Sequence, residues 1–259
     1  KAAANRWDLS AQVPVGRRAV LELADAKGAK LADTASDKRG AMKLPDLSLA
    51  AGSYLVRLKG EADTLHGLAL EQAGLRVDGE EAEPNDQWAL ANRAGLDSPV
   101  RGRFQRRGDD DHFAFELDVA ATDRRLALEI AAEPGSRYEA CLLDPRGDAL
   151  QCRTGSGEQR LGSLVLEPGV HGFRLGRGAE GMTYTLRLVE DGPHAPGLEA
   201  EPNDSAAIAT SVPAKLRIKG SLTEGDQDFI RFDLAGEAQL WRFQVNGTGI
   251  HEVAYHDGS

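Results

Sequence analysis

The chain has few of the residues that mark several common classes of protein. Only 5% of its 259 residues are aromatic, two are cysteine, and 41 acidic residues outnumber 31 basic ones. The net charge of −10, with no basic stripe among aromatic side chains, argues against a nucleic-acid partner. No run of 18 apolar residues predicts a membrane span, and no charged stretch before an apolar one predicts an export signal. We therefore expect an internal part of a longer polypeptide.

The two cysteines lie on either side of a predicted turn. An Asp-Pro-Arg-Gly sequence that begins at Asp144 separates two apolar stretches, which is typical of a hairpin. The expected register pairs Cys141 with Cys152 and residue 143 with residue 150. Two alternatives stay open, because cross-strand pairs satisfy disulfide geometry only sometimes. The cysteines form a disulfide, or they are free thiols and Cys141 is a small buried side chain.

One hexapeptide, Glu-Ala-Glu-Pro-Asn-Asp, occurs at residues 81–86 and again at 199–204, which gives a period of 118 residues. Each copy is followed by a Gly-Asp-x-Asp sequence, at 108–111 and at 225–228. A period of this length predicts tandem units of domain size.

The N-terminal part of the chain is a third copy of the same unit. Residues 7–31 align without a gap on residues 126–150, and residues 49–54 match residues 166–171. Both ends of the chain therefore lie inside a unit. The predicted units are a partial one without its first strands at 1–77, a complete one at 78–192, and a partial one without its last strands at 193–259.

Apolar and polar residues alternate with a period of two in several segments, which predicts strands with one buried face. The clearest segments are 113–117, 126–130, 184–188 and 230–234. Turn residues recur between such runs, as in antiparallel sandwiches and barrels. The predicted fold class is all-β, with tandem antiparallel, jelly-roll-like β-sandwich domains. The one helical expectation is a single turn after each hexapeptide, capped by Asn85 or Asp86 and by Asp204.

The repeated acidic residues predict a metal site in each of two copies. Glu81 and Glu83 are two apart, so an extended backbone projects both from one face, and the following turn adds two more oxygens. A shell of six to eight oxygens suits calcium, and without a cation the carboxylates would repel one another. The alternative is a solvated boundary with a helix cap and a plain hairpin turn. The predicted ligands are Glu81, Glu83, Asn85, Asp86, Asp109 and Asp111, and then Glu199, Glu201, Asn203, Asp204, Asp226 and Asp228.

These motifs resemble a known family, the bacterial pre-peptidase C-terminal domain, which is similar to the collagen-binding domains of clostridial collagenases. The resemblance rests on the repeated hexapeptide, on a Gly-x-Leu-like triplet before each Gly-Asp-x-Asp, and on Leu-x-Ala-Gly-x-Tyr at 49–54. It implies a β-sandwich in which the twelve residues above bind calcium. It implies no site in the N-terminal copy, which has no hexapeptide. Polymer-binding members use tyrosine- or tryptophan-rich faces, and this sequence contains no evident cluster of such residues.

We expect a non-catalytic, calcium-binding spacer or scaffold in a larger exported bacterial protein, located in the periplasm or outside the cell. Its first partner would be the remainder of the polypeptide. The alternative is an accessory module that binds collagen, a polysaccharide or a cell-surface protein beside a secreted hydrolase domain. An enzyme is not expected, because no serine or cysteine lies in a nucleophile motif and no glycine-rich phosphate loop follows a strand.

Overall fold

Strands dominate the structure, which is a computed structural model. It describes residues 5–61, 65–118, 124–195, 197–212, 217–223, 226–233, 240 and 242–255. Within these ranges the elements are β-strands, mostly in antiparallel sheets, and short 3₁₀ turns. The predicted all-β antiparallel fold class is confirmed. No helix in the described ranges is long and apolar enough to cross a membrane.

The N-terminal part, which we call the N-terminal unit, has six strands within its described ranges. They are β1 (Asn5–Gln12), β2 (Ala19–Asp25), β3 (Lys30–Ala35), β4 (Ala41–Leu47), β5 (Tyr54–Gly60) and β6 (Gly67–Leu75). One antiparallel sheet has the order β4-β1-β6 and the other the order β3-β2-β5. Leu9, Leu21 and Leu44 are fully buried between the two sheets and form the centre of one apolar core.

The next part, which we call the middle unit, has nine strands in the residues that the structure describes. They are β7 (Asn92–Arg93), β8 (Val100–Arg103), β9 (Asp111–Leu117), β10 (Arg124–Ala132), β11 (Arg137–Leu143), β12 (Ala149–Ser156), β13 (Gln159–Leu164), β14 (Gly169–Gly176) and β15 (Thr183–Pro193). Their sheets have the orders β13-β10-β15-β8 and β12-β11-β14-β9-β7. Phe113, Phe173 and Leu128 meet in a second apolar core between these sheets. The strands predicted at 113–117, 126–130 and 184–188 are confirmed within β9, β10 and β15.

The predicted hairpin is confirmed in β11 and β12, where Cys141 lies opposite Cys152. The two cysteines form a disulfide, with their Cα atoms 4.1 Å apart. The predicted pairing of residue 143 with residue 150 is wrong, because the register shifts after Leu142 and Leu143 lies opposite Ala149. The extra residue is absorbed where the strand meets the Asp144 turn, a usual place for a bulge.

The C-terminal part, which we call the C-terminal unit, has two short strands in its described residues. These are β16 (Thr210–Ser211) and β17 (Ile230–Arg231). They pair in parallel, as β7 and β9 do at the equivalent positions of the middle unit. The strand predicted at 230–234 is observed only at its first two residues, and Leu234 lies outside the described residues.

A 3₁₀ turn follows each hexapeptide, at Trp88–Leu90 and at Ala206–Ile208. The predicted caps are wrong. The turns begin after Gln87 and Ser205, and neither residue makes a side-chain cap hydrogen bond. The side chains of Asn85, Asp86 and Asp204, which the sequence suggested as caps, are engaged with other acidic residues and arginines instead, as the next section shows.

Candidate metal centre

The hexapeptide of the middle unit is an extended segment held between two units. The backbone N–H of Glu81 donates to the carbonyl of Arg101, in β8, at 2.9 Å. The carbonyl of Glu83 accepts from the N–H of Ser48, directly after β4, at 2.6 Å. Glu81 and Glu83 are 6% and 4% exposed. The segment thus brings both carboxylates into the protein interior at the junction of the N-terminal and middle units.

A polar side chain outside the predicted set fixes this segment. Asn92 accepts from the N–H of Ala82 at 2.8 Å and donates to its carbonyl at 2.9 Å. The equivalent residue of the C-terminal unit, Thr210, makes the same two contacts with Ala200 at 3.3 and 2.9 Å. Such supporting hydrogen bonds orient ligands in metal sites, so Asn92 and Thr210 act as positioning residues for the acidic side chains.

Four of the predicted ligands form one compact group, which we call the first acidic cluster: Glu81, Glu83, Asn85 and Asp111. Carboxylate oxygens of its three acidic members lie within 4.8 Å of one another. Asn85 and Asp111 are fully buried. With its amide oriented to suit its neighbours, Asn85 donates to Asp111 Oδ1 at 3.2 Å and to Glu83 Oε2 at 3.1 Å. In the opposite orientation it presents an oxygen to the cluster, which a cation or a protonated carboxyl would stabilise.

Tyr184 links two members of the first acidic cluster. Its hydroxyl lies 2.7 Å from Glu81 Oε2 and 2.6 Å from Asp111 Oδ2. A phenol has one hydrogen to donate, so without a cation one carboxyl must hold a proton. Burial raises the pKa of Glu81 to about 7, against the opposing effect of the Tyr184 hydrogen bond. Burial and then neighbouring carboxylates raise the pKa values of Glu83 and Asp111 well above their usual range.

Glu83 has an oxygen with no hydrogen-bond partner. Its Oε2 accepts from the N–H of Asn85 at 3.0 Å, whereas its Oε1 is buried and unpaired among the described residues. An unsatisfied buried polar atom is costly, and a charged one more so. The donor set of the cluster consists of three carboxylates and an amide, all oxygen ligands that hard cations prefer. The residues therefore fit a calcium-type ion in their chemistry.

The other two predicted ligands of this copy, Asp86 and Asp109, lie together beside the cluster on an arginine. Arg106 donates through Nη2 to Asp86 Oδ1 at 2.5 Å and through Nη1 to Asp109 Oδ1. The N–H of Gln105 donates to the second oxygen of Asp109 at 2.5 Å. Burial raises the pKa of Asp109 to about 6, although Arg106 opposes that shift. The six predicted ligands are thus divided into a group of four, joined by the side chains of Asn85 and Tyr184, and a pair joined by a guanidinium.

The C-terminal unit has a similar division, except that Glu201 also has a carboxylate oxygen within 4.8 Å of those of Asp204 and Asp226. Its second acidic cluster consists of Glu199, Glu201, Asn203 and Asp228, and the three carboxylates again lie within 4.8 Å of one another. Burial raises the pKa values of Glu199 and Glu201 to about 7. The nearby Asp228 carboxylate adds to the rise in the pKa of Glu199, after the effect of burial. Asn203 is fully buried, and its Oδ1 has no partner within the described ranges.

The remaining aspartates of this copy, Asp204 and Asp226, also meet on an arginine, but this one comes from the middle unit. Arg153, on β12, donates to Asp204 Oδ1 at 3.2 Å and to Asp226 Oδ1. Gln151, on the same strand, donates to Glu201 Oε2 at 2.9 Å in a buried contact. Neither residue was predicted, because the hexapeptide and turn motifs do not include β12.

Glycines at equivalent positions give both clusters the space they need. A Cβ at Gly102 would lie 2.2 Å from the Tyr184 hydroxyl oxygen, and a Cβ at Gly220 would lie 1.7 Å from Glu199 Oε2. Any side chain there would push a cluster residue or its partner away. The shared glycine that the repeat alignment reveals is therefore explained by close approach of a polar side chain to the backbone.

We predict that Gly102→Ala destabilises the chain by about 1–3 kcal/mol, the usual cost of overpacking, because Tyr184 must leave Glu81 and Asp111. Gly67→Ala is the matched control, since a Cβ at that strand position meets no atom within 4 Å. Urea unfolding of both variants beside the parent chain measures the effect. Equal midpoints for the two variants would contradict the packing argument.

Comparison with known proteins gives a limited result. No protein-family profile matches the chain, and no curated protein matches it. Among solved structures, it is similar to the pre-peptidase C-terminal domain of a collagenase from Bacillus anthracis, with 21% identity, 42% of this chain and 99% of that chain covered, and a TM-score of 0.31. It is also similar to an uncharacterized protein from Burkholderia cenocepacia, with 11% identity, 73% and 74% coverage and a TM-score of 0.24. A third is the PBSX exported protein XepA, with 9% identity, 73% and 77% coverage and a TM-score of 0.23.

Proposed function

We propose that this chain is a non-catalytic, calcium-binding scaffold of an exported bacterial protein, in which calcium stiffens the junctions between units. The observation that carries the proposal is the first acidic cluster. There Glu83 Oε1 is buried beside two further carboxylates and an amide, and it has no hydrogen-bond partner among the described residues. A similar group of three carboxylates and an amide recurs around Glu201, where the buried oxygens without a partner among the described residues are Asn203 Oδ1 and Asp228 Oδ1. The motif resemblance to pre-peptidase C-terminal domains implies a ligand set that includes these four residues together with Asp86 and Asp109.

The donor set favours calcium over other common ions. Each cluster offers three carboxylates and one amide oxygen on irregular backbone, and calcium accepts irregular shells of six to eight oxygens that include water. Magnesium demands near-octahedral geometry, and zinc favours nitrogen and sulfur ligands. Glu81, Glu83, Asn85 and Asp111 would hold one ion, and Glu199, Glu201, Asn203 and Asp228 the other. The ion would supply the positive charge that these buried carboxylates otherwise obtain from protons.

A mechanical role follows from where the clusters lie. The segment that carries Glu83 bonds through its backbone to Ser48 of the preceding unit, and its neighbour Glu81 bonds to Arg101 of the following unit. At the next junction the N–H of Val165 donates to the carbonyl of Glu201 at 2.8 Å. A cation that holds these glutamates would fix the segment on which both neighbouring units depend, and would limit their relative motion.

An exported location is supported by the disulfide between Cys141 and Cys152. Disulfides persist in the periplasm and outside the cell and are rare in a reducing cytosol. Millimolar calcium is also an ordinary condition for extracellular modules, whose sites bind in the 10⁻⁴–10⁻³ M range.

The test is to compare the chain in chelator, in calcium and in magnesium by thermal unfolding and small-angle scattering. We expect calcium to raise the melting temperature by roughly 5–10 °C, which corresponds to a free ion concentration well above the dissociation constant. We also expect a narrower distribution of particle dimensions in calcium, and a smaller effect of magnesium on both measurements. Identical melting and scattering curves with calcium and with chelator would rule out the proposal.

A further inference from the structure

An arginine guanidinium bridges each pair of aspartates beside the acidic clusters, but the two arginines come from different places in the repeat. In the middle unit it belongs to Arg106, in the connection just before the Gly-Asp-x-Asp sequence. For the C-terminal unit it belongs to Arg153, on β12 of the unit before. The same charge is thus supplied once from within a unit and once across a boundary.

The repeat alignment shows that an arginine and a threonine have exchanged places. The position equivalent to Arg106 in the C-terminal unit is Thr223, because Asp109 aligns with Asp226. The position equivalent to Arg153 in the N-terminal unit is Thr34.

Strand pairing supports the second equivalence. Glu22 lies opposite Asp33 in the N-terminal unit as Cys141 lies opposite Cys152 in the middle unit. The next residue on each second strand is the threonine or the arginine. The two arrangements are therefore alternatives at the same two places in the fold, and each site has one arginine.

The C-terminal arrangement is complementary in detail. Thr223 donates through its N–H and its hydroxyl to Asp226 Oδ2 at 2.9 and 3.0 Å, and its hydroxyl accepts from Arg153 Nε at 3.3 Å. The short side chain leaves space for the guanidinium that enters from β12, and the Arg153 side chain is only 12% exposed. Gln151 adds a second contact across the same boundary, where the N-terminal unit has the apolar Ala32.

We propose that the acidic site of the C-terminal unit is shared between two units. Gln151 and Arg153 of the middle unit complete it by hydrogen bonding to its acidic side chains. Arg153 acts as a fixed cation between Asp204 and Asp226 and locks this junction in the absence of metal. Only the second acidic cluster is then left for a divalent ion. This role of Arg153 as a clamp between the two units is inferred from side-chain contacts alone. The limit of one ion per site rests on the proposed calcium function.

The experiment uses the full chain in three variants. Arg153→Thr removes the clamp, and Arg153→Thr combined with Thr223→Arg transplants the arrangement of the middle unit, so that the aspartates regain a guanidinium from within their own unit. Arg146→Thr is the matched control, because that side chain is 83% exposed. Amide hydrogen exchange in chelator is followed at Val165 and Glu201, whose N–H groups bond across the junction to Glu201 and Ser163 at 2.8 and 2.9 Å. Exchange in β9 and β14 reports whether the middle unit stays folded.

We expect junction amides to exchange at least tenfold faster in Arg153→Thr and in the double variant, with Arg146→Thr unchanged and the core of the middle unit protected in all three. Calcium counting by native mass spectrometry should give two ions for the parent chain, three for Arg153→Thr because the freed aspartates accept an ion, and two again for the double variant. Unchanged junction exchange in Arg153→Thr, or full recovery in the double variant, would overturn the shared site. A parent chain that binds no calcium would refute the proposed function and leave the exchange comparison to decide the clamp.

Discussion

In chelator, the protein should be more stable at pH 5 than at pH 8, which is the reverse of the usual behaviour of paired carboxylates. The folded pKa of Glu81 is raised to about 7, and so are those of Glu199 and Glu201. The unfolded chain releases the same protons near pH 4.5. Between these values the folded state binds more protons than the unfolded state, so the free energy of unfolding falls as the pH rises.

The size of this effect follows from the raised pKa values. One pKa unit corresponds to about 1.4 kcal/mol, so a single carboxyl of this kind removes on the order of 3 kcal/mol between pH 5 and pH 8. Neighbouring carboxyls titrate together, so their contributions do not add in full. His112 opposes the trend, because burial lowers its pKa and favours the folded state as the pH rises toward 6.5.

Urea unfolding at pH 5, 6, 7 and 8, in chelator and in calcium, measures this directly. We expect the midpoint in chelator to fall across this range and calcium to remove most of the fall, because the cation replaces the protons that the carboxylates lose. A midpoint in chelator that rises or stays level from pH 5 to pH 8 would show that the clusters are ionised without cost. The fold and the shared arginine would remain, but the case for a cation at Glu83 would be lost.

Much of the first acidic cluster could be predicted from local sequence. The spacing of two between Glu81 and Glu83 placed both side chains on one face of an extended segment, and the repeat linked that segment to Asp111. These are short-range regularities of backbone geometry, so they survive without knowledge of the tertiary structure. The same holds for Cys141 and Cys152, whose separation by a tight turn set their pairing.

The parts that could not be predicted depend on contacts between distant residues. Tyr184 joins the cluster from β15, and the only sequence signal for its approach is the small residue at Gly102. Arg153 lies on β12, which is not part of either acidic motif. Its only sequence signal is that the equivalent residue of the N-terminal unit is Thr34. The predicted helix caps are wrong for a related reason. The Asn85 side chain donates hydrogen bonds to buried carboxylates and not to the nearby 3₁₀ turn. Local capping preference is a weak effect beside the cost of leaving such groups unpaired.

Glu83→Gln should make the chelated protein more stable and strongly weaken calcium binding at the first acidic cluster. The change removes the cost of keeping this buried carboxyl either ionised or protonated, and the new amide nitrogen can donate to a neighbouring carboxylate from the position of the unpaired Oε1. We expect a gain of about 1–3 kcal/mol in chelator. Calcium affinity at this site should fall at least about 100-fold, because an amide replaces a charged ligand.

Thermal unfolding in chelator and in calcium, with isothermal titration of the ion, tests both halves of this prediction. Glu116→Gln is the matched control, since it makes the same chemical change at an exposed position of β9. Glu201→Gln should reproduce the result in the second acidic cluster, and the two substitutions together should leave no response to calcium. A Glu83→Gln protein that is less stable in chelator, yet binds calcium as the parent chain does, would mean that Glu83 stabilises the fold and is not a calcium ligand. A gain in stability with lost binding would instead show that the carboxylate is kept for the ion, at a cost to the metal-free fold.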